Sequence, residues 1–195
     1  MRWSHSLLYE PSRTQPYGVH SGVGLWTWLI IASVVLLRFA SLLVLALWVG
    51  GLVALGSVAA PTIFAVLELH DPLAGSTLAG DLFGQIFQRF QHLTWILGGL
   101  LLALLGARAA LGPRPRLLGL RMWTVTGMLA VSVASGLILA PRIDAIRRDT
   151  AGTLASLPAT DPRKIEFGWL HGVSTALMLL TLGAGLGLIG CEALE

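Results

Sequence analysis

His92 and His171 are the side chains of this sequence best placed to do chemistry. Each opens a long apolar run, and each follows an Ala-Pro-x-Ile step at almost the same distance. Ala60-Pro61-Thr62-Ile63 lies before His92, 31 residues on from Pro61, and Ala140-Pro141-Arg142-Ile143 lies before His171, 30 residues on from Pro141. Neutral imidazole is a common ligand of haem iron and copper, and facing helices of a bundle can supply two axial histidines. Imidazole also titrates near neutral pH and can pass a proton. A third reading makes both residues interfacial, hydrogen-bonded to backbone or water. At helical spacing His171 shares a stripe with Ser174, Thr175 and Met178, and His92 shares one with Trp95 and Gly99. A polar stripe in lipid faces the bundle interior, so both imidazoles are expected to point toward a common axis.

Other chemistry is sparse. Glu68, His70, Asp71 and Asp81 fall in one connection, but without a defined metal-ligand spacing they read as a solvated loop. The sequence contains no GxSxG, HExxH or phosphate-loop pattern, and Gly50-Gly51 has no strand before it. Cys191 is the single cysteine, which excludes a disulfide or zinc cluster within the chain. Its place after the last apolar run permits palmitoylation, but a packed thiol is the simpler reading.

The elements that must position these residues follow from composition. The 195 residues are 55% hydrophobic and 12% charged, with a mean hydropathy of +0.77. A soluble domain is about 45–50% apolar with about 25% charge, so this chain calls for lipid. Four runs have the roughly 17–25 residues that a spanning helix needs: residues 39–60, 93–111, 122–140 and 167–190. Only Arg108 interrupts them, near one end, where its head can snorkel to the interface. Residues 1–24 form a polar tail without the apolar core of a signal peptide. Residues 25–190 form the four-helix transmembrane domain and 191–195 a short tail. Residues 23–37, with Trp26 and Trp28, are too short to span alone and read as an interfacial or re-entrant lead-in.

The formal charge of +3 is spread over connections, which does not mark a nucleic-acid binder. With the termini on one side, that side carries Arg2, Arg13, Arg38, Arg108, Arg114, Arg116 and Arg121, against six basic residues on the other. The positive-inside rule then places both termini in the cytoplasm, in a membrane of bacterial inner-membrane type. Small residues mark helix contacts: Gly50 and Gly51 in the first run, Gly98 and Gly99 in the second, Gly183 and Gly187 in the last. Ser132 and Ser135 share a face of the third. The matched Pro-to-His spacing predicts one hairpin used twice in the same orientation, a parallel repeat.

Trp48-Val49-Gly50-Gly51, Pro61-Thr62-Ile63-Phe64, Phe83-Gly84-Gln85-Ile86-Phe87, Phe90-Gln91-His92 and Phe167-Gly168-Trp169-Leu170-His171 resemble a family of small four-helix membrane proteins. That family is known only as a domain of unknown function, and its eukaryotic relatives are named simply as transmembrane proteins. The likeness covers roughly residues 38–190. More distantly the pattern is similar to copper-resistance-D-like membrane proteins and to haem-binding, HemJ-type protoporphyrinogen oxidases. Trp48, Gly51, Pro61 and Phe64 match the oxidases' early signature, and Trp169-Leu170-His171 a later one. Their early haem-ligand histidine would fall near Ser41, where this chain has none, and their later lysine falls at Val173 or Ser174. Their activity is therefore not transferred.

The sequence thus predicts an all-α integral membrane protein with four transmembrane helices arranged as two repeated hairpins. It also predicts a non-catalytic accessory or structural subunit whose partners are the lipid bilayer and other membrane proteins. Trp3, Tyr9 and Tyr17 in the tail are candidates for docking on a neighbour. The alternative is a haem- or copper-binding redox or transport protein that uses His92 and His171.

Overall fold

The computed structural model describes residues 21–72, 74–111, 117–150 and 154–194. The tail aromatics Trp3, Tyr9 and Tyr17, and Arg2, Arg13, Arg114 and Arg116, lie outside the described residues. No strand occurs among those described. The helices are α1 (Ser21–Ala54), α2 (Ala60–His70), α3 (Gly75–Leu111), α4 (Leu118–Ala134), α5 (Ala140–Asp149) and α6 (Pro162–Ala193). Four rods are long and apolar enough to cross a membrane: Trp28–His70, Gly75–Leu111, Leu118–Asp149 and Pro162–Ala193. α1 packs on α3 and α6, and α4 packs on the same two, so the order around the bundle is α1, α3, α4, α6.

The rods outrun the apolar stretches that predict them. At about 1.5 Å per residue, the 37 residues of α3 extend about 55 Å, well beyond a hydrocarbon core of about 30 Å. The connection expected over residues 61–91 is therefore mostly helix, and α2 ends at His70 only a few residues before α3 begins at Gly75. Likewise α5 continues the third rod to Asp149, and α6 begins at Pro162. The lead-in of residues 23–37 is the N-terminal part of α1, continuous with the first span.

Both Ala-Pro steps are preceded by one wide helical turn, Leu55–Ala59 and Ser135–Leu139, related by an 80-residue offset (135 against 55). The cause is local. Proline offers no N–H to the preceding turn and crowds it. In both places the chain opens to π geometry, with Ala60 N–H reaching Leu55 O and Ala140 N–H reaching Ser135 O. Such adjustment lets a proline remain inside a continuous spanning helix.

The apolar core is a narrow seam along the bundle axis, with Trp48, Leu101 and Val125 each no more than 1% exposed. Leu45, Leu97, Met128 and Leu188 pack in the same seam. Many large apolar side chains point outward instead, among them Leu47, Ile96 and Leu180. Buried polar groups inside and exposed apolar groups outside suit a chain solvated by lipid.

Two of the six expected packing glycines sit at close contacts within the chain. A Cβ on Gly51 would strike the Phe90 ring, and one on Gly98 would meet Leu129 at 2.9 Å and Trp48 at 3.2 Å. Gly50, Gly99, Gly183 and Gly187 would meet nothing within 4 Å. Periodicity marks small faces but does not say which neighbour each one turns toward. A Cβ on Gly185, absent from the expected set, would meet Val49 at 2.5 Å.

Asp161 starts α6. Its Oδ1 accepts from Arg163 N–H at 2.9 Å, and the Arg163 guanidinium donates to both carboxylate oxygens. The side-chain hydrogen bond from Arg163, followed by the backbone one, holds the Asp161 carboxyl below its ordinary value. This support is complete above the ordinary carboxylate range and is lost as pH falls through the lowered value. Amide chemical shifts of residues 163–166 are expected to report fraying of the first turn at acid pH, and Asp161→Asn to flatten that dependence. In detergent melts, Gly51→Leu is expected to destabilise the bundle by about 1–3 kcal/mol through overpacking, with Gly50→Leu next to it close to silent.

Candidate functional site

One end of the bundle is closed by charge. Glu192 on α6 is 2% exposed and lies between Arg108 of α3 and Arg121 of α4, which are 5% and 3% exposed. Arg108 Nη1 donates to Glu192 Oε1 at 2.7 Å and Arg121 Nη1 donates to the same oxygen at 2.6 Å. Arg121 Nη2 also donates to the Cys191 carbonyl at 2.9 Å. Arg38 of α1 donates to the Glu192 carbonyl, and its Nε lies 3.8 Å from Oε2. Four helices therefore meet at one carboxylate. Arg108, expected to snorkel, is instead drawn inward. Glu192, read as part of a short tail, is the group that draws it.

A second polar cluster lies mid-bundle. Gln91 Nε2 donates to the Ser132 carbonyl at 2.6 Å. The Thr94 hydroxyl bonds the Gln91 carbonyl at 2.8 Å and the Ser132 hydroxyl at 2.7 Å. Beside them is a hollow of about 30 Å³, lined on its polar side by Gln91, Thr94, Ser132, Ser135, Ser174 and Thr181. Gln91 Oε1 has no partner among the described residues. A polar space of this size takes one water molecule.

Above this hollow the bundle opens into a vestibule of about 880 Å³ between α3, α5 and α6. α3 contributes Asp81, Gln85 and Gln88, α5 contributes Asp144, Arg147 and Arg148, and α6 contributes Lys164, Phe167 and His171. These positions recur at three- and four-residue spacing, so one face of each helix turns inward. Arg147 is fixed between the walls. It donates to the Gly80 carbonyl at 2.6 Å, lies 3.6 Å from Asp81 and sits over the Phe167 ring at 5.6 Å. A Cβ on Gly80 would meet Arg147 Nη2 at 2.8 Å, so that glycine leaves room for the guanidinium.

The two histidines are placed differently. His171 lines the vestibule and stacks on Phe167, with ring centroids 6.0 Å apart and planes at 8°. His92 is exposed on the outside of α3, edge-on to Trp95 at 5.0 Å, and lines neither hollow. The His171 stripe divides: Ser174 and Met178 line the inner hollow, while the exposed Thr175 hydroxyl donates to the His171 carbonyl. Ser132 and Ser135 both face inward. Among the described residues, no three His, Cys, Asp or Glu side chains gather closely enough to hold a metal ion. Asp81 pairs with Arg147, apart from Glu68, His70 and Asp71 at the end of α2. Sequence periodicity could have found the vestibule through Thr77, Asp81, Gln85 and Gln88, whose spacing is helical. Treating residues 61–91 as a loop concealed it.

The two charged ends stand one hydrocarbon thickness apart. Along α3, the 20 residues from Gln88 to Arg108 rise about 30 Å. Along α6, the 21 residues from His171 to Glu192 rise about 32 Å. Trp169 and Trp123 are 66% and 77% exposed beside the two levels, where tryptophan prefers the headgroup layers.

Together the apolar rods, the charged end and the polar vestibule define a four-helix integral membrane protein. Residues 43–151 match the domain of unknown function DUF4149, and the chain belongs to that family. No curated protein and no solved structure matches it.

Removing one member of a buried charged cluster leaves its partners uncompensated, at a cost of about 3–5 kcal/mol. Glu192→Gln is expected to lose stability of that order in a detergent melt. In a double-mutant cycle with Arg121→Gln, the two losses are expected to be strongly non-additive.

Proposed function

We propose that this protein is a non-catalytic accessory subunit that packs against other membrane proteins. The observation that carries this reading is the N-terminal part of α1. Beyond Arg38, α1 continues for 17 residues back to Ser21, about 25 Å past the level at which the other three rods end. Large apolar side chains point outward along that segment: Trp26, Trp28 and Leu36 are 72%, 71% and 67% exposed. Apolar surface of this kind needs cover from protein or lipid. Because it extends from the arginine end of the bundle, a neighbouring protein is the cover that fits.

An outward stripe on α6 supports the same reading. Gly168, Gly172, Ala176, Gly183, Gly187 and Gly190 are all exposed, and such faces let a second helix approach closely. The 80-residue offset between the two wide turns supports two hairpins in parallel repeat. The arginines at the Glu192 end favour that end, and both termini, on the cytoplasmic side of a bacterial inner membrane.

Photo-crosslinking residues at positions 29 and 36 test the role. In native membranes both are expected to give discrete adducts with another protein chain. Lipid adducts alone at both positions would overturn the proposal.

A further inference from the structure

We propose that the vestibule between α3, α5 and α6 binds the phosphodiester headgroup of an anionic phospholipid, with Arg147 and Arg148 as the contacts to phosphate. Size, charge and depth each point there.

The hollow, at about 880 Å³, lies within the roughly 300–1,000 Å³ typical of small-molecule sites. It is far larger than inorganic phosphate alone requires. Its charged lining comprises Arg147, Arg148 and Lys164 against Asp81 and Asp144, a surplus of one positive charge with histidine neutral. A headgroup with a single net negative charge balances that surplus. Guanidinium is the side chain whose planar fork matches phosphate oxygens.

The two arginines differ in a useful way. Arg147 is preorganised by the Gly80 carbonyl, Asp81 and Phe167, so little side-chain freedom is lost when it meets an anion. Arg148 is exposed and makes no side-chain hydrogen bond or ion pair among the described residues, so its donors are open to a ligand. Gln85 and Gln88 face the same space, with amide donors for ester carbonyls. Phe64 and Phe167 give it an apolar wall beside the polar one.

Depth selects the source of the phosphate. The floor of the vestibule at Gln88 and His171 stands about 30 Å of helix above the Glu192 cluster. With that cluster at one interface, the vestibule falls in the headgroup layer of the opposite leaflet, where phosphodiesters are abundant.

The test uses the purified, delipidated full-length chain in neutral detergent. The probes are dihexanoyl-phosphatidylglycerol, dihexanoyl-phosphatidylcholine and inorganic phosphate, read by native mass spectrometry and thermal shift. One equivalent of phosphatidylglycerol is expected to bind saturably and to raise the melting temperature, with phosphatidylcholine and inorganic phosphate at least tenfold weaker. Arg148→Gln is exposed and leaves the fold intact, and it is expected to weaken phosphatidylglycerol binding about 10-fold, the order of a charge-assisted hydrogen bond. Arg147→Gln is expected to do at least as much, whereas Arg142→Gln, which lies outside the vestibule, is expected to change nothing. Failure to bind phosphatidylglycerol, equal binding in Arg148→Gln, or inorganic phosphate matching the lipid would each overturn the proposal.

Discussion

A single carboxylate ties the four rods together. Glu192 reaches α6's neighbours at one point, meeting Arg108, Arg121 and Arg38. Charges this deep are expensive to bury, and their mutual attraction roughly offsets the desolvation. The value of the cluster is therefore register more than net stability. A slip of one turn along any rod would move a guanidinium about 5 Å from its partner and leave a bare charge in a low-dielectric interior. With that end fixed, the depth of every other residue follows from helical rise. The small polar hollow comes to mid-bundle and the vestibule to the opposite headgroup layer.

The rest of the interior follows the same logic. Lipid supplies no drive to bring apolar helices together, so packing contacts and internal polar bonds must do so. Gln91 and Thr94 join α3 to Ser132 of α4 through two hydrogen bonds. Gly51, Gly98 and Gly185 admit Phe90, Trp48 and Val49 closely against neighbouring backbones. The wide turns before Pro61 and Pro141 keep two rods continuous where the proline would otherwise break them. The vestibule opens beyond these turns, where α5 and the start of α6 stand away from α3. The two proline steps thus bear on the shape of the far end as well as on the course of the helices.

Class and span number were legible in composition alone. A chain of 55% hydrophobic residues with four apolar runs can satisfy its backbone in lipid only as helices or a closed barrel, and the run lengths select helices. The Ala-Pro steps stood out in sequence only by their matched spacing to His92 and His171, and the spans drawn to end at Ala60 and Ala140 stop short, because each rod continues past its proline through a wide turn. The full length of the rods was not legible. Helix α3 begins among Gly, Ser, Thr and Asp residues whose local preferences favour a turn, and contacts with α2 and Arg147 override them. Partner choice was not legible either. Gly50 and Gly51 are neighbours in sequence and equally small, yet only Gly51 has a ring pressed against it.

The sequence by itself determined that this is an α-helical membrane protein with four spans, because solvation of the backbone in lipid depends on local composition and length. Tertiary structure alone decided which polar groups meet. Glu192 lies 84 residues from Arg108 and 71 from Arg121, and no local periodicity relates them. The same holds for Arg147 and Gly80, and for His171, which faces the vestibule while His92 faces outward. These pairings depend on how the rods rotate about their own axes, and that rotation is set by packing against neighbours rather than by any single stretch of chain.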